Sequence, residues 1–324
     1  MIYLDHAATT AVYPQVVKKM MPYFHTLYYN PSGNYQEGTR IRETIENVRQ
    51  ELAASINCSA KELFFTSGGT ESDNWAAAIA AAKRPGGHMI TTQIEHHAVL
   101  HTCRFWEQQG HTVTYLPVGR NGIVDPEEVR RAIRPDTTLI SVMYANNEVG
   151  TIQPVRAIGA IAREHGIWFH TDAVQAYGHL AIDTKREHID MLSVSAHKFG
   201  GPKGVGFLYV GEGVTMHALL QGGAQERGLR AGTENVAGIV GMGEAAMLSQ
   251  TQMEWEYERE YQMREYLRER ILSEMDAVYL NGDPHRRLPG NLNICFEGVE
   301  NQALMVLLEM HGICVSGGSA CTSA

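Results

Sequence analysis

Gly166-Ile167-Trp168-Phe169-His170-Thr171-Asp172 is the stretch that decides the fold of this chain. Its first five residues have the length and the aromatic or β-branched character of a buried strand. A second run of this kind, Met191-Leu192-Ser193-Val194, leads into Ser195-Ala196-His197-Lys198. Because α/β sheets bind ligands beyond the ends of their strands, we predict that Asp172 and Lys198 project toward one ligand.

Asp172 and Lys198 together indicate a site for pyridoxal 5'-phosphate (PLP). A lysine can hold the aldehyde of PLP as a Schiff base, and an acid can keep the ring nitrogen protonated, as the ring requires in order to accept electrons. An isolated acid and an isolated lysine at strand ends are also typical of solvated loops. The pair therefore predicts the cofactor only in combination with further motifs.

Helix-like and strand-like segments alternate on both sides of this pair, from about residue 45 to about residue 210. Strands are predicted at residues 63–66, 88–92, 112–116 and 138–145, and helices at 74–82, 98–109, 126–133 and 155–164. This alternation predicts an α/β fold with a mostly parallel sheet flanked by helices. Residues 207–210 follow a glycine-rich turn and are predicted to form a late, antiparallel strand.

The character of the sequence changes after about residue 250. A charged helix is predicted at 253–274, followed by a strand at 291–296, a helix at 301–310 and a strand at 313–315. We therefore predict a large domain of residues 14–250 and a smaller α+β domain formed by residues 1–13 and 251–324.

The charge balance favours a small-molecule ligand. The 324 residues include 27 Lys and Arg against 36 Asp and Glu, a formal net charge of -9. An acidic chain without basic runs is unsuited to nucleic acid or to an anionic membrane surface. The N-terminus has no basic segment followed by an apolar one, and no apolar run approaches about 18 residues. We predict a soluble, cytoplasmic protein.

The cysteines predict neither a disulfide framework nor a structural zinc site, because they are five in number and no two form a CxxC pair. Four of them, Cys58, Cys103, Cys295 and Cys314, are predicted to be small buried hydrophobes. Cys321 differs because it lies among the small polar residues of 316–323, which are predicted to form an exposed, mobile loop.

Three further segments at predicted strand ends carry candidate ligands. Ser67-Gly68-Gly69-Thr70-Glu71-Ser72 precedes a helix, so its backbone N–H groups can bind a phosphate, although an ordinary N-cap turn would have the same composition. With PLP at this edge, the candidate phosphate ligands are Gly69, Thr70, Ser195 and His197.

The other segments supply a histidine and two amides. Glu95-His96-His97 places His96 over the same edge, where it suits stacking on the ring and proton transfer. A metal site that also used His170 and His197 would lack ligand spacing, and none is predicted. In Asn146-Asn147-Glu148-Val149-Gly150 one asparagine can shape the turn while the other contacts a ligand, or both can serve the turn.

Taken together, these motifs resemble those of the NifS/IscS-type cysteine desulfurases, and the resemblance extends from Tyr3 to the last residue. The motifs that match in order and spacing are 67–72, 95–96, 146–150, 172–175, 195–198, 226–233 and 316–323. The resemblance implies the PLP-dependent transferase fold of aminotransferase type I and a homodimer.

Residue by residue, the resemblance implies a complete cofactor site. Lys198 would hold the aldehyde, Asp172 the ring nitrogen and Gln175 the phenolic oxygen, while His96 would stack on the ring. Asn147 would contact cofactor or substrate. The phosphate would be bound by Thr70, Ser195 and His197, and by Thr233 from the other subunit.

The implied reaction is the removal of sulfur from L-cysteine, which leaves L-alanine and a persulfide on Cys321. An iron-sulfur scaffold protein or another acceptor would then take the sulfur. The chain ends three residues after Cys321, whereas similar enzymes continue and place there the arginine that binds the substrate carboxylate. Two alternatives therefore stay open: a truncated homologue that binds PLP without turnover and serves as a structural or regulatory partner, or a selenocysteine lyase or other C–S lyase of this fold.

Overall fold

A seven-stranded sheet organises the structure, a computed structural model that describes residues 1–318. In the order in which they lie side by side, its strands are β2 (Leu63–Thr66), β8 (Gly206–Val210), β7 (Met191–Ser195), β6 (Trp168–Asp172), β5 (Thr137–Ser141), β3 (His88–Thr92) and β4 (Thr112–Leu116). Only β8 runs against the others, because both of its pairings, with β2 and with β7, are antiparallel. The predicted α/β fold and its late antiparallel strand are confirmed.

Helices cover both faces of this sheet, as the alternating pattern predicts. They are α1 (Pro14–Met20), α2 (Pro22–His25), α3 (Gln36–Ser55), α4 (Gly69–Lys83), α5 (His97–Gln108), α6 (Pro126–Ala132), α7 (Val155–Glu164), α8 (Val236–Glu274) and α9 (Asn301–Met310). Successive strand residues enter different apolar clusters: Phe64 packs with Trp75, whereas Phe65 packs with Ile41 and Leu52. The sheet is thus buried on both sides, which explains why its strands read as continuous apolar runs.

Strands β2 to β7 are all parallel to one another, and β8 alone in this sheet is antiparallel to them. The carboxyl ends of β2 to β7 therefore share one edge of the sheet. The segments 67–72, 95–97, 142–150, 172–175 and 195–198 all follow such an end. β5 ends at Ser141 and not at the predicted residue 145. The N–H groups of Val142 and Tyr144 still donate to His170 and Asp172 on β6, and the chain turns at Asn146, whose N–H donates to Thr151.

The last part of the chain adds two small sheets. β1 (Ile2–Tyr3) pairs in parallel with β11 (Ile313–Cys314), and β9 (Val278–Leu280) pairs with β10 (Ile294–Phe296). The predicted domain boundary at residue 250 falls inside α8, a helix of 39 residues, so the division into two domains stays a prediction. Among residues 1–318 no helix is long and apolar enough to cross a membrane.

The expectation that four cysteines are buried is wrong in part. Cys103 is buried and Cys58 and Cys314 are half-buried, but Cys295 is exposed. Its strand β10 has a single neighbour and shows alternating exposure, so its central residue faces outward.

Candidate active site

Asp172 and Lys198 lie at the carboxyl edge of the sheet, as predicted. Asp172 is the last residue of β6, and Lys198 closes the short 3-10 turn Ala196–Lys198 that follows β7. The strands are neighbours, with Asp172 paired to Ser193. Lys198 Nζ donates to the carbonyl oxygens of Ala7 and, at 2.9 Å, of Ala8. The N-terminal segment therefore crosses the site, a contribution that no local pattern in the sequence indicates.

The Asp172 carboxyl is buried, and its Oδ1 accepts the Val174 N–H at 2.9 Å. Burial raises the pKa of Asp172, and the Val174 hydrogen bond, the nearby His96 ring and the charge of Lys198 oppose this effect. A buried carboxylate gains most from a cationic partner, because it then recovers the solvation it has lost. The site thus fits the protonated ring nitrogen of PLP.

Two more buried acids flank Asp172: Asp73, which the sequence does not mark, and Glu95, which the sequence places in the segment 95–97 without a role. Asp73, on α4, has its Oδ1 without a hydrogen-bond partner among residues 1–318, and so has Glu95 at its Oε2. Burial, followed by the charge of Asp172, raises the pKa of Asp73 well above its usual range. Burial raises the pKa of Glu95 to about 8. Only the packing of α4 against the sheet buries Asp73, so no local signal could have revealed it.

His96 caps the N-terminus of α5, where its Nδ1 accepts the Ala98 N–H at 3.1 Å. Burial lowers the pKa of His96, so the ring is neutral with its proton on Nε2. Ligand atoms of Asp73, His96 and Asp172 lie within 4.8 Å of one another. A metal would nevertheless obtain no lone pair from His96, because the amide occupies one nitrogen and the proton the other.

His170, the other histidine weighed for a metal site, belongs to the sheet interior. Its Nδ1 lies 2.8 Å from Ser141 Oγ and its Nε2 lies 3.0 Å from Ser193 Oγ. Burial lowers the pKa of His170 to about 3, so the ring stays neutral. Both nitrogens are occupied by hydroxyl groups of neighbouring strands, which makes His170 a structural residue.

The segment between β2 and α4 has the form of a phosphate cradle. Gly68 has a φ of +146°, and a Cβ on Gly69 would lie 2.5 Å from Val174 Cγ2, so both positions require glycine. Thr70 is exposed in the first turn of α4, and Ser195 Oγ would lie 3.3 Å from a Cβ on Gly68. Backbone N–H groups, hydroxyls and a helix N-terminus are the donors that a phosphate needs.

His197 lies beside this cradle, with its Nδ1 3.1 Å from Thr9 Oγ1. Burial, with the nearby charges of Lys198 and Lys203, lowers the pKa of His197 to about 4. The ring is therefore neutral at pH 7 and can donate one hydrogen bond to an anion but no charge.

Asn146 and Asn147 differ in their hydrogen bonds. Asn146 shapes the turn: its Oδ1 accepts the N–H groups of Glu148 and Val149, each at 2.9 Å, and its Nδ2 donates to the Ile94 carbonyl. The Asn147 side chain has no hydrogen bond within residues 1–318, which leaves its amide available to a ligand. Gln175 Nε2 donates to the Ala7 carbonyl at 3.0 Å, next to the contact that Lys198 makes.

The segment 226–233 is joined to the sheet edge by two ion pairs. Glu226 and Arg227 adopt left-handed φ values of 46° and 60°. Glu226 forms a buried ion pair with Arg49 at 2.7 Å, and Arg230 pairs with Glu71 at 2.8 Å. Thr233 is exposed. Cys321 lies outside the described residues.

The chain matches a family model over almost its full length. The model described as aminotransferase class-V covers residues 2–324. A cysteine desulfurase IscS of Methanosarcina thermophila is 51% identical over 100% of this chain and 80% of its own length. A putative cysteine desulfurase IscS 1 of Bacillus subtilis is 48% identical over 99% of this chain and 86% of its own length.

Two solved structures resemble this chain over nearly its full length. A NifS-like protein superposes with a TM-score of 0.94 at 36% identity and covers 97% of this chain and 87% of its own. A structure titled SspA in complex with cysteine has a TM-score of 0.88 at 37% identity, covering 100% of this chain and 91% of its own.

Proposed function

The chain belongs to the class-V aminotransferase family, and on this premise we propose that it is a PLP-dependent cysteine desulfurase. It would convert L-cysteine to L-alanine and leave a persulfide on Cys321. The observation that carries the proposal is the convergence of Asp172, Lys198 and His96 on one edge of the sheet, beside a phosphate cradle. The relatives are named as cysteine desulfurases, which favours this reaction over a lyase of other substrates.

The cofactor would be held at both ends by residues of this edge. Lys198 would bind its aldehyde and Asp172 its ring nitrogen, with Gln175 at the phenolic oxygen. Its phosphate would lie at the N-terminus of α4, bound by Gly69, Thr70, Ser195 and His197. PLP supplies an electron sink for the carbon atoms of the substrate.

The protein's own residues would supply the remaining chemistry. The Lys198 amine would move the proton at the substrate Cα, and His96, neutral with its proton on Nε2, could assist proton transfer. The Cys321 thiolate would attack the sulfur of the substrate, forming an S–S bond as the Cβ–S bond breaks. The electron pair of the broken bond stays with carbon, which takes up a proton and becomes the methyl group of alanine.

Binding partners follow from the same proposal. Thr233 is exposed and would reach the phosphate of a second subunit, so the site would be complete only in a homodimer. The persulfide would pass to an acceptor such as an iron-sulfur scaffold protein. The buried site suits a small amino acid, whereas the acceptor must meet Cys321 at the surface.

The test is the reaction of the purified chain with PLP and L-cysteine. We expect alanine and protein-bound sulfur in equal amounts, with a dimer by light scattering. A chain that binds PLP and forms no alanine would contradict the desulfurase and favour the regulatory homologue. Turnover of L-selenocysteine without turnover of L-cysteine would favour the lyase.

A further inference from the structure

Residues 282–293, here called the clamp segment, bind three successive carbonyl groups of the loop that carries Asn147. The Glu148 carbonyl accepts from Asn291 Nδ2 and Asn293 Nδ2, each at 3.1 Å. The next carbonyl, of Val149, accepts from Arg287 Nη2 at 3.0 Å, and that of Gly150 accepts from the Leu288 N–H at 2.9 Å. Such uninterrupted pairing fixes the path of the loop.

The opposite side of the loop is bound as completely. Asn146 Oδ1 accepts the N–H groups of Glu148 and Val149, and the Asn146 carbonyl accepts the Gly150 N–H at 3.1 Å. The loop lies beside His96, because Asn146 Nδ2 donates to the Ile94 carbonyl and the charge of Glu148 acts on the pKa of His96. Within residues 1–318 the half-buried Asn147 side-chain amide has no hydrogen bond. The backbone is thus held from both sides while one amide is left for a ligand.

Contact between loop and clamp segment is direct. Gly150 has a φ of +73°, and a Cβ there would lie 2.5 Å from the Asn291 side chain, which leaves no space for water. Asn281 Nδ2 donates to Asn293 Oδ1 at 2.9 Å, so the amide of Asn293 is oriented with its donor toward Glu148. Arg287 is buried beneath this contact.

We propose that the clamp segment positions Asn147 for ligand binding, and that Asn291 and Asn293 are the positioning residues. This proposal rests on the proposed function, in which Asn147 would contact the cofactor or the substrate, as the family resemblance implies. The clamp segment belongs to the part of the chain beyond α8, whereas Asn147 belongs to the sheet edge, so the site would depend on both regions.

The test replaces the donor without changing its size. In Asn293→Asp a carboxylate oxygen faces the Glu148 carbonyl, so the hydrogen bond becomes a repulsion. We expect kcat/KM for L-cysteine to fall up to about tenfold, the size of one lost hydrogen bond. Gln252→Glu, on the exposed face of α8, adds the same charge by the same chemical change and should leave kcat/KM as it is.

A double-mutant cycle separates positioning from general stability. If Asn293 acts through Asn147, then Asn293→Asp should have little further effect in an Asn147→Ala background. The cycle is measured on kcat/KM and also on the dissociation constant of PLP, because Asn147 could touch substrate or cofactor. Effects that simply multiply in both quantities would overturn the proposal, as would an unchanged Asn293→Asp protein. Asn293→Ala serves as the second variant if the aspartate does not fold.

Hydrogen exchange tests the clamp independently of the reaction. In the cofactor-free chain the amides of residues 148–150 should exchange faster in Asn291→Asp than in wild type, because the loop loses its outer support. Unchanged exchange there would overturn the clamp even in an active enzyme. If the wild type forms no alanine while residues 148–150 of Asn291→Asp still exchange faster than in wild type, only the proposed function is contradicted and the clamp remains.

Discussion

The sheet edge and the segment leading toward Cys321 are built in opposite ways. At the edge, Asp172 and Ser195 are buried at the ends of five-residue strands inside a seven-stranded sheet. Residues 316–318, by contrast, follow the two-residue strand β11 and are held by Ser316 Oγ to Asp5 and by the Asn301 amide to Gly317, each at 2.8 Å. Chemistry that needs fixed geometry lies on packed strands, and the proposed sulfur carrier lies beyond a lightly held segment.

The largest effect is expected at the sheet edge, from the replacement of Lys198. Lys198→Ala should abolish both the absorbance of lysine-bound PLP and the formation of alanine, because the variant lacks the amine that would form the Schiff base. Lys185→Ala, at an exposed lysine, is the matched control and should retain both. Absorbance spectra and alanine assays measure the two quantities. An unchanged spectrum in Lys198→Ala would remove the site from this edge of the sheet.

At Cys321 we expect a loss of sulfur transfer without a loss of PLP binding. Cys321→Ser should retain the PLP spectrum and lose protein-bound sulfur, because a hydroxyl is a poor nucleophile toward sulfur at neutral pH. The exposed Cys295 provides the control, and Cys295→Ser should carry sulfur like the wild type. Mass spectrometry of the protein after reaction with L-cysteine detects the added sulfur. If sulfur were found on Cys321→Ser, another cysteine would be the carrier.

The next expected effect is on the stability of the fold beside the sheet edge. Glu226 and Arg49 form an ion pair with side chains that are 4% and 6% exposed, and Glu226 also accepts the Phe65 N–H on β2. Glu226→Gln removes the buried one of the two carboxylates that pair with Arg49 and leaves only the exposed Glu46, which should cost about 1.5–3 kcal/mol of unfolding free energy. Glu274→Gln breaks the exposed pair with Arg270 and should leave the unfolding midpoint unchanged. Urea unfolding of both variants compares them, and equal midpoints would contradict this account.

The sequence predicts the strands and the residues at their ends well, because both are local. The runs at 63–66, 88–92 and 112–116 are strands with those bounds, and Lys198 follows β7 directly. What it could not predict are contacts across long separations. Glu226 meets Arg49 from 177 residues away, and Lys198 reaches Ala8 across 190 residues. Neither partner is marked by spacing or composition, since only the folded sheet brings them together.

The last prediction concerns the charge of Glu95 at the sheet edge. Glu95 is buried at the sheet edge with a pKa raised from 4.5 to about 8, so the folded cofactor-free chain holds a proton that the unfolded chain releases. The stability due to this proton is complete below pH 4.5 and is lost as the pH rises through 8, by up to about 1.4 kcal/mol per pH unit. In Glu95→Gln the side-chain oxygen can still accept from Thr92 and Met143, but the group no longer ionises. Unfolding free energies measured from pH 5 to pH 8 should therefore fall less steeply in Glu95→Gln than in wild type. Equal slopes would mean that the sheet edge tolerates the Glu95 charge as readily as an exposed surface does.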